Sequence, residues 1–146
     1  MTMTGIQIDT LLGKLLRREP VPLDPPTEAD WSVLETRFGC RFGEDFQAFI
    51  VLMSKYQFPG EILNVSRGKT NGNDSILIAY ECEMTNGRWN PELIPFYAIG
   101  NGDYFCLRST ECPQSQVFYY NHETAALEID SASFATWVNN LPVFLK

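Results

Sequence analysis

The stretch from Leu93 to Leu107, LIPFYAIGNGDYFCL, constrains this chain more than any other. Apolar and aromatic residues alternate on both sides of the turn Gly100-Asn-Gly-Asp103, and a second aromatic run, QVFYYNHE, follows at Gln116 to Glu123. A period of two bounded by glycine and asparagine marks strands joined by tight turns. Strands are therefore expected at 93–98, 103–108, 116–121 and 125–129. The connections are short, so neighbours should pair antiparallel.

Helical spacing dominates on either side of this region. Residues 6–18 place Ile8, Leu11, Leu12, Leu15 and Leu16 on one stripe, with Arg17 and Arg18 in the last turn, where cations suit the dipole. Gly13 weakens this helix by ~1 kcal/mol relative to Ala. Pro20 to Pro26 forms an extended linker, because proline removes amide donors and restricts the residue before it. Thr27 is an N-cap with Asp30 in a near capping-box position. Trp31, Leu34 and Phe38 then line one face up to a stop at Gly39. A third helix is expected from Glu44 to about Tyr56, with Phe46, Phe49, Ile50 and Met53 inward. Residues 61–65 read as a short strand and Ser66 to Asp74 as a polar loop. Residues 75–84 fit a helix capped by Asp74 and also a strand through Ile76, Ile78 and Tyr80; the helix is the reading taken. Asp130 or Ser131 caps a last helix, 132–141, with Phe134, Trp137, Val138 and Leu141 facing the core. Helices, then a β-meander, then a helix give an α+β domain: an antiparallel sheet of about four to six strands with helices mainly on one face.

At 146 residues the chain suits one domain, large enough to bury roughly 70% of the surface its unfolded form exposes. Aromatics at 13% imply a core rich in Phe and Tyr. The net charge of −7 is uneven: residues 1–73 carry 8 basic and 9 acidic side chains, residues 74–146 carry 3 and 9. An acidic, aromatic second half argues against direct nucleic-acid binding, which needs a basic footprint, and permits a basic protein partner. The N-terminal MTMTGIQIDTLLGKLL has no basic n-region or long apolar run, so it does not read as a signal peptide, and no stretch approaches the ~20 apolar residues of a membrane span. Cys40, Cys82, Cys106 and Cys112 show no C-x-x-C spacing. Reduced thiols in a cytoplasm are the expected context. The sequons at Asn64 and Asn73 then read as chance matches.

No motif defines a catalytic centre, and no catalytic residue, cofactor or metal site is assigned. Gly100 to Asp103 lacks the acidic spacing of an EF-hand and the lysine of a P-loop, and reads as a turn needing positive φ. His122 is the single histidine, which removes His-His metal motifs. A Cys-His pair with Cys106 or Cys112 stays open, without a third orienting group. A small hydrolase would have to use Asp103, His122 and Glu123. Aromatics exposed beside carboxylates are common interface anchors. The candidate partner-binding residues are accordingly Glu81, Glu83, Trp89, Asp103, Tyr104, Glu111, Tyr120, His122 and Glu123. Trp89, Tyr104 and Tyr120 would be the anchors, unless a second helix layer covers both faces of the sheet.

The order of motifs resembles the SUKH superfamily of bacterial immunity proteins and fungal cell-wall-synthesis regulators. Leu93-Ile-Pro-Phe96 matches its "lIPF" strand, Gly100-Asn-Gly-Asp-Tyr-Phe-Cys-Leu107 its "GxGDxyCL" turn and strand, Val117 to Glu123 its "VyyxdHE" run, and Ala132-Ser-Phe134 the opening of its C-terminal helix. Glu28 to Gly39 looks like the family's first helix. The resemblance covers 27–145 and leaves residues 1–26 as a helix and proline-rich extension before a SUKH-like domain, 27–146. Gly43 stands where the family usually has proline, Lys55 to Gly60 replaces an Asn-Gly-Gly, and Asn121 replaces an acidic residue. The resemblance implies a non-enzymatic α+β protein that binds and neutralises a cognate protein toxin, with nucleases among the toxins such proteins oppose. The acidic second half points to a basic toxin, and a monomer or weak homodimer is expected. A scaffold or regulatory role is the alternative.

Overall fold

The computed structural model describes residues 2–20, 24–63, 65 and 75–145. Thr4 opens helix α1 (Gly5–Leu15) through a capping box with Gln7. The helix stops at Leu15, short of the expected Arg18, because the chain turns extended to exchange backbone hydrogen bonds with the segment after α3: Gln57 N–H donates to the Arg17 carbonyl and Glu19 N–H to that of Lys55, each at 2.8 Å. Arg18 lies instead over the Tyr56 ring at 5.2 Å. A Cβ on Gly13 would sit 3.4 Å from the Tyr56 hydroxyl oxygen, an ordinary contact. Helix α2 (Glu28–Phe38) carries the expected Thr27–Asp30 capping box and ends at Gly39 in the left-handed region, φ 68°. Helix α3 (Glu44–Leu52) is shorter than expected; a turn at 53–55 frees Tyr56 to reach Asp9 of α1.

The sheet is a five-stranded meander of β1 (Glu61–Ile62), β2 (Leu93–Ala98), β3 (Tyr104–Arg108), β4 (Val117–Tyr120) and β5 (Leu127–Ser131), all antiparallel. The strand expected at 61–65 is seen only over Glu61 and Ile62; Asn64, the loop Ser66 to Asp74 and linker residues 21–23 lie outside the described residues. Helix α4 (Ile76–Thr85) confirms the helical reading of 75–84, with the Ser75 hydroxyl accepting from Ile78 N–H at its start. The strand expected at 125–129 begins at Leu127, because the Asn121 side chain gathers the amides of Glu123 and Thr124 into a turn that puts Ala125 at φ 58°. Asp130 and Ser131 therefore belong to β5, and Ser133 caps α5 (Phe134–Asn139). Pro142 lacks the amide needed to continue that helix, so a separate turn, α6 (Leu141–Phe144), follows.

Alternation gives each sheet face its own core. Ile94, Phe96, Phe105, Leu107 and Val117 meet α1, α2, α3 and α5 in the main one. Its centre is a set of edge-to-face rings: Phe49 to Trp137 at 5.6 Å, Phe96 to Trp137 at 5.0 Å and Phe46 to Phe134 at 5.2 Å. Such pairs add about 0.5–1.5 kcal/mol beyond the area they bury. Ile8 and Leu12 of α1 are fully buried in the same core. The opposite face holds a smaller cluster of Tyr80, Trp89, Leu93, Cys106 and Tyr120, roofed by α4 and the segment after it. Truncating Phe49 to Ala removes a ring with no exposed surface. It should cost about 3–5 kcal/mol of unfolding free energy in a urea titration.

Candidate functional site

Asp103 sits in the turn between β2 and β3, one residue before the strand begins. Gly100 and Gly102 flank it at φ 98° and 97°, so the expected positive-φ turn is present. The carboxylate is almost buried and accepts from four directions. Oδ1 takes the His122 backbone N–H at 2.9 Å and His122 Nδ1 at 2.6 Å; Oδ2 takes the Tyr119 hydroxyl and, at 3.4 Å, the Asn101 side-chain amide. The register Tyr104↔Tyr120 makes these contacts, because it sets the start of β3 beside the end of β4. Burial disfavours the charge, but the Tyr119 hydroxyl, the His122 amide and the His122 ring outweigh it and hold Asp103 at about 2, below the usual carboxylate range. An ionised carboxylate only accepts, so Nδ1 carries the ring proton. Burial and the same carboxylate push Tyr119 up to about 12.

This constellation orients a histidine but supplies no nucleophile. Among the described residues no hydroxyl or thiol hydrogen-bonds His122 Nε2, and no group of three His, Cys, Asp or Glu side chains could hold a metal ion. Cys106 is fully buried and burial raises its thiol well above the ordinary range; Cys112 is raised too and shares its hydrogen bond with Cys40. All four cysteines are free. Glu123 is exposed beyond the cluster, with its backbone carbonyl accepting from the Arg88 guanidinium at 3.3 Å.

The remaining sequence-selected residues fall into three places. Trp89 and Tyr120 are buried, with rings 4.6 Å apart, and Trp89 Nε1 donates to the Leu93 carbonyl at 3.0 Å. They hold the second core and present almost no surface. Tyr104 is half-buried beside them and donates to Glu83 of α4 at 3.0 Å, which fastens the helix to the sheet. Glu81 pairs with Arg37 of α2 at 2.8 Å, and Glu111 accepts from Gln116 N–H at 3.1 Å with Arg108 3.8 Å away. Arg108 covers Phe118 at 4.7 Å. Tyr119 and Asn101 were not singled out from sequence, nor were Glu128, Ile129 and Asp130, which form the exposed edge of the sheet. Pairing 103–108 with 116–121 was legible, but the connection over 109–115 left the register, and hence the Asp103–Tyr119 contact, undetermined.

The SUKH_5 family model, described as SMI1-KNR4 cell-wall, matches residues 8–145. This chain belongs to the SUKH superfamily. The match takes in most of α1 as well as the segment from Thr27 onward. Among solved structures, a protein from Pseudomonas syringae pv. tomato superposes with a TM-score of 0.67 over 93% of this chain and 96% of its own, at 19% identity, a likeness of fold. No curated protein matches the chain. SUKH proteins are generally non-enzymatic immunity or regulatory proteins.

Two outcomes follow from the Asp103 cluster. Its pKa is lowered on folding, so its stabilisation is present above the unfolded value near 4 and lost as pH falls toward about 2. In acid titrations the native protein should lose roughly 2 kcal/mol across that window, whereas Asp103→Asn should be weakened at neutral pH and nearly flat there. A Cβ on Gly102 would lie 2.8 Å from the His122 ring at φ 97°. Gly102→Ala should therefore cost at least about 2 kcal/mol by thermal or urea unfolding.

Proposed function

We propose that this protein is an immunity protein that binds a cognate polymorphic or contact-dependent toxin and neutralises it by stoichiometric occlusion. Membership of the SUKH superfamily across nearly the whole chain carries this reading. Two further observations support it. The polar cluster with most chemical promise is spent on holding two strand ends, and the excess of acid lies in the half that forms most of the sheet. A toxin with a basic cleft for a phosphate-bearing substrate is the partner this charge favours, since opposite fields speed encounter and fix orientation. The protein itself would act without cofactor or nucleic acid. Free thiols suit a cytoplasmic site of action. Among the described residues no helix is long and apolar enough to cross a membrane.

The family description, SMI1-KNR4 cell-wall, supports a second reading, a scaffold or regulator in cell-wall synthesis. A hydrolase built on Asp103 and His122 has their contact in its favour but, among the described residues, no hydroxyl or thiol at Nε2. Co-expression with the product of the adjacent gene separates these readings. The immunity reading predicts co-purification at one-to-one stoichiometry and rescue of cells from that product. A product that is harmless, or that kills unimpeded, would count for the regulator. Reversing Glu123 should slow association and flatten its salt dependence without loss of fold; reversing Glu81, Glu83 or Glu111 also breaks the contacts to Arg37, Tyr104 or Arg108 and is a less clean probe.

A further inference from the structure

We propose that the outer edge of β5 receives an extended basic segment of the partner, which adds to the sheet as a sixth strand. The proposal rests on the binding role above and names the surface that performs it. β5 is last in the sheet order, so among the described residues one side of it has no neighbouring strand. Asn121 N–H donates to the Ala126 carbonyl, which turns residues 126 and 128 toward β4. By alternation Leu127 and Ile129 point their amides and carbonyls outward. These unpaired groups are a template for a further strand.

The side chains define what that strand must carry. Glu128 and Asp130 are exposed, and among the described residues no cation pairs with either. Ile129 alternates with them on the opposite face and is 62% exposed, an unusual position for a large aliphatic residue between two acids. A complementary strand therefore alternates lysine or arginine with an aliphatic residue. Beside the edge, an apolar notch of about 300 Å³ lies between Asp130 and α6, lined by Phe105, Trp137, Leu141, Val143 and Phe144. Val143 is 75% exposed at its rim, which leaves a seat for an apolar side chain flanking the added strand.

A second copy of this chain is a poor occupant. Antiparallel pairing about Ile129 would bring Glu128 and Asp130 of both copies together, and like charges facing across strands are destabilising. The short strand, its acids and the bulge opposite Val117 and Phe118 are devices that protect an edge from its own kind. They do not repel a basic segment.

The test uses a short capped peptide in which lysine and valine alternate, added to the full chain at low salt and followed by amide NMR. Shift changes centred on Leu127 to Asp130, slowed amide exchange at Leu127 and Ile129, loss of binding when the peptide's inner amides are N-methylated, and about tenfold weaker binding for Glu128→Lys with Asp130→Lys are expected. No binding, or shifts centred elsewhere, overturns the proposal. Hydrogen exchange with the adjacent gene's product keeps the two readings apart. Protection of some other surface would discard the β5 edge and keep the immunity role. A peptide that pairs with β5 while the adjacent product does not bind would keep the edge and discard that role.

Discussion

One carboxylate ties the sheet together. Asp103 stands at the start of β3, and the backbone amide, ring nitrogen and hydroxyl that it collects come from His122 and Tyr119, at the end of β4. It thereby closes the centre of a meander whose two faces feed two separate cores. Gly102 is bare because the His122 ring lies where a Cβ would be, and burial together with the hydrogen bond to the same carboxylate keeps Tyr119 protonated. Charge-assisted hydrogen bonds of this kind are about twice as strong as neutral ones. A buried carboxylate with every acceptor position used is stable as an anion and has little left for proton transfer.

With that cluster accounted for, the molecule divides into a structural interior and an acidic exterior. The aromatic runs that dominate the sequence are largely interior. Phe96, Phe105, Phe134 and Trp137 build the main core, while Trp89, Tyr104 and Tyr120 build the smaller one under α4. Glu81, Glu83 and Glu111 lie between the two regimes: Glu81 and Glu83 are engaged with Arg37 and Tyr104 from other elements, Glu111 with nearby Gln116. The surface proposed for recognition is the far edge of the sheet, where acids flank an exposed isoleucine.

Local rules written into the sequence were the legible part. The Thr27–Asp30 box rests on two side chains three residues apart, the Gly39 stop and the glycine turn at 100–103 on glycine's backbone freedom, and all three are present. Strand pairing followed from period and short connections. Element ends set by long-range contacts were not legible: α1 and α3 both stop early to let Arg17, Glu19 and Gln57 exchange backbone hydrogen bonds across roughly forty residues. Pro142 did carry the signal for the break after α5. The burial of Trp89 and Tyr120 could not be read from alternation alone, because it depends on where α4 lies.

The central claim is that Asp103 serves the fold while the acidic edge serves binding. Calorimetric titration of the adjacent gene's product into two variants, with unfolding free energies measured on the same samples, tests it most directly. Asp103→Asn should lose stability at neutral pH yet bind with native affinity while folded. Glu128→Lys with Asp130→Lys should keep its stability and bind about tenfold more weakly. An Asp103→Asn protein that is as stable as the native chain but no longer binds or neutralises the product would contradict the account.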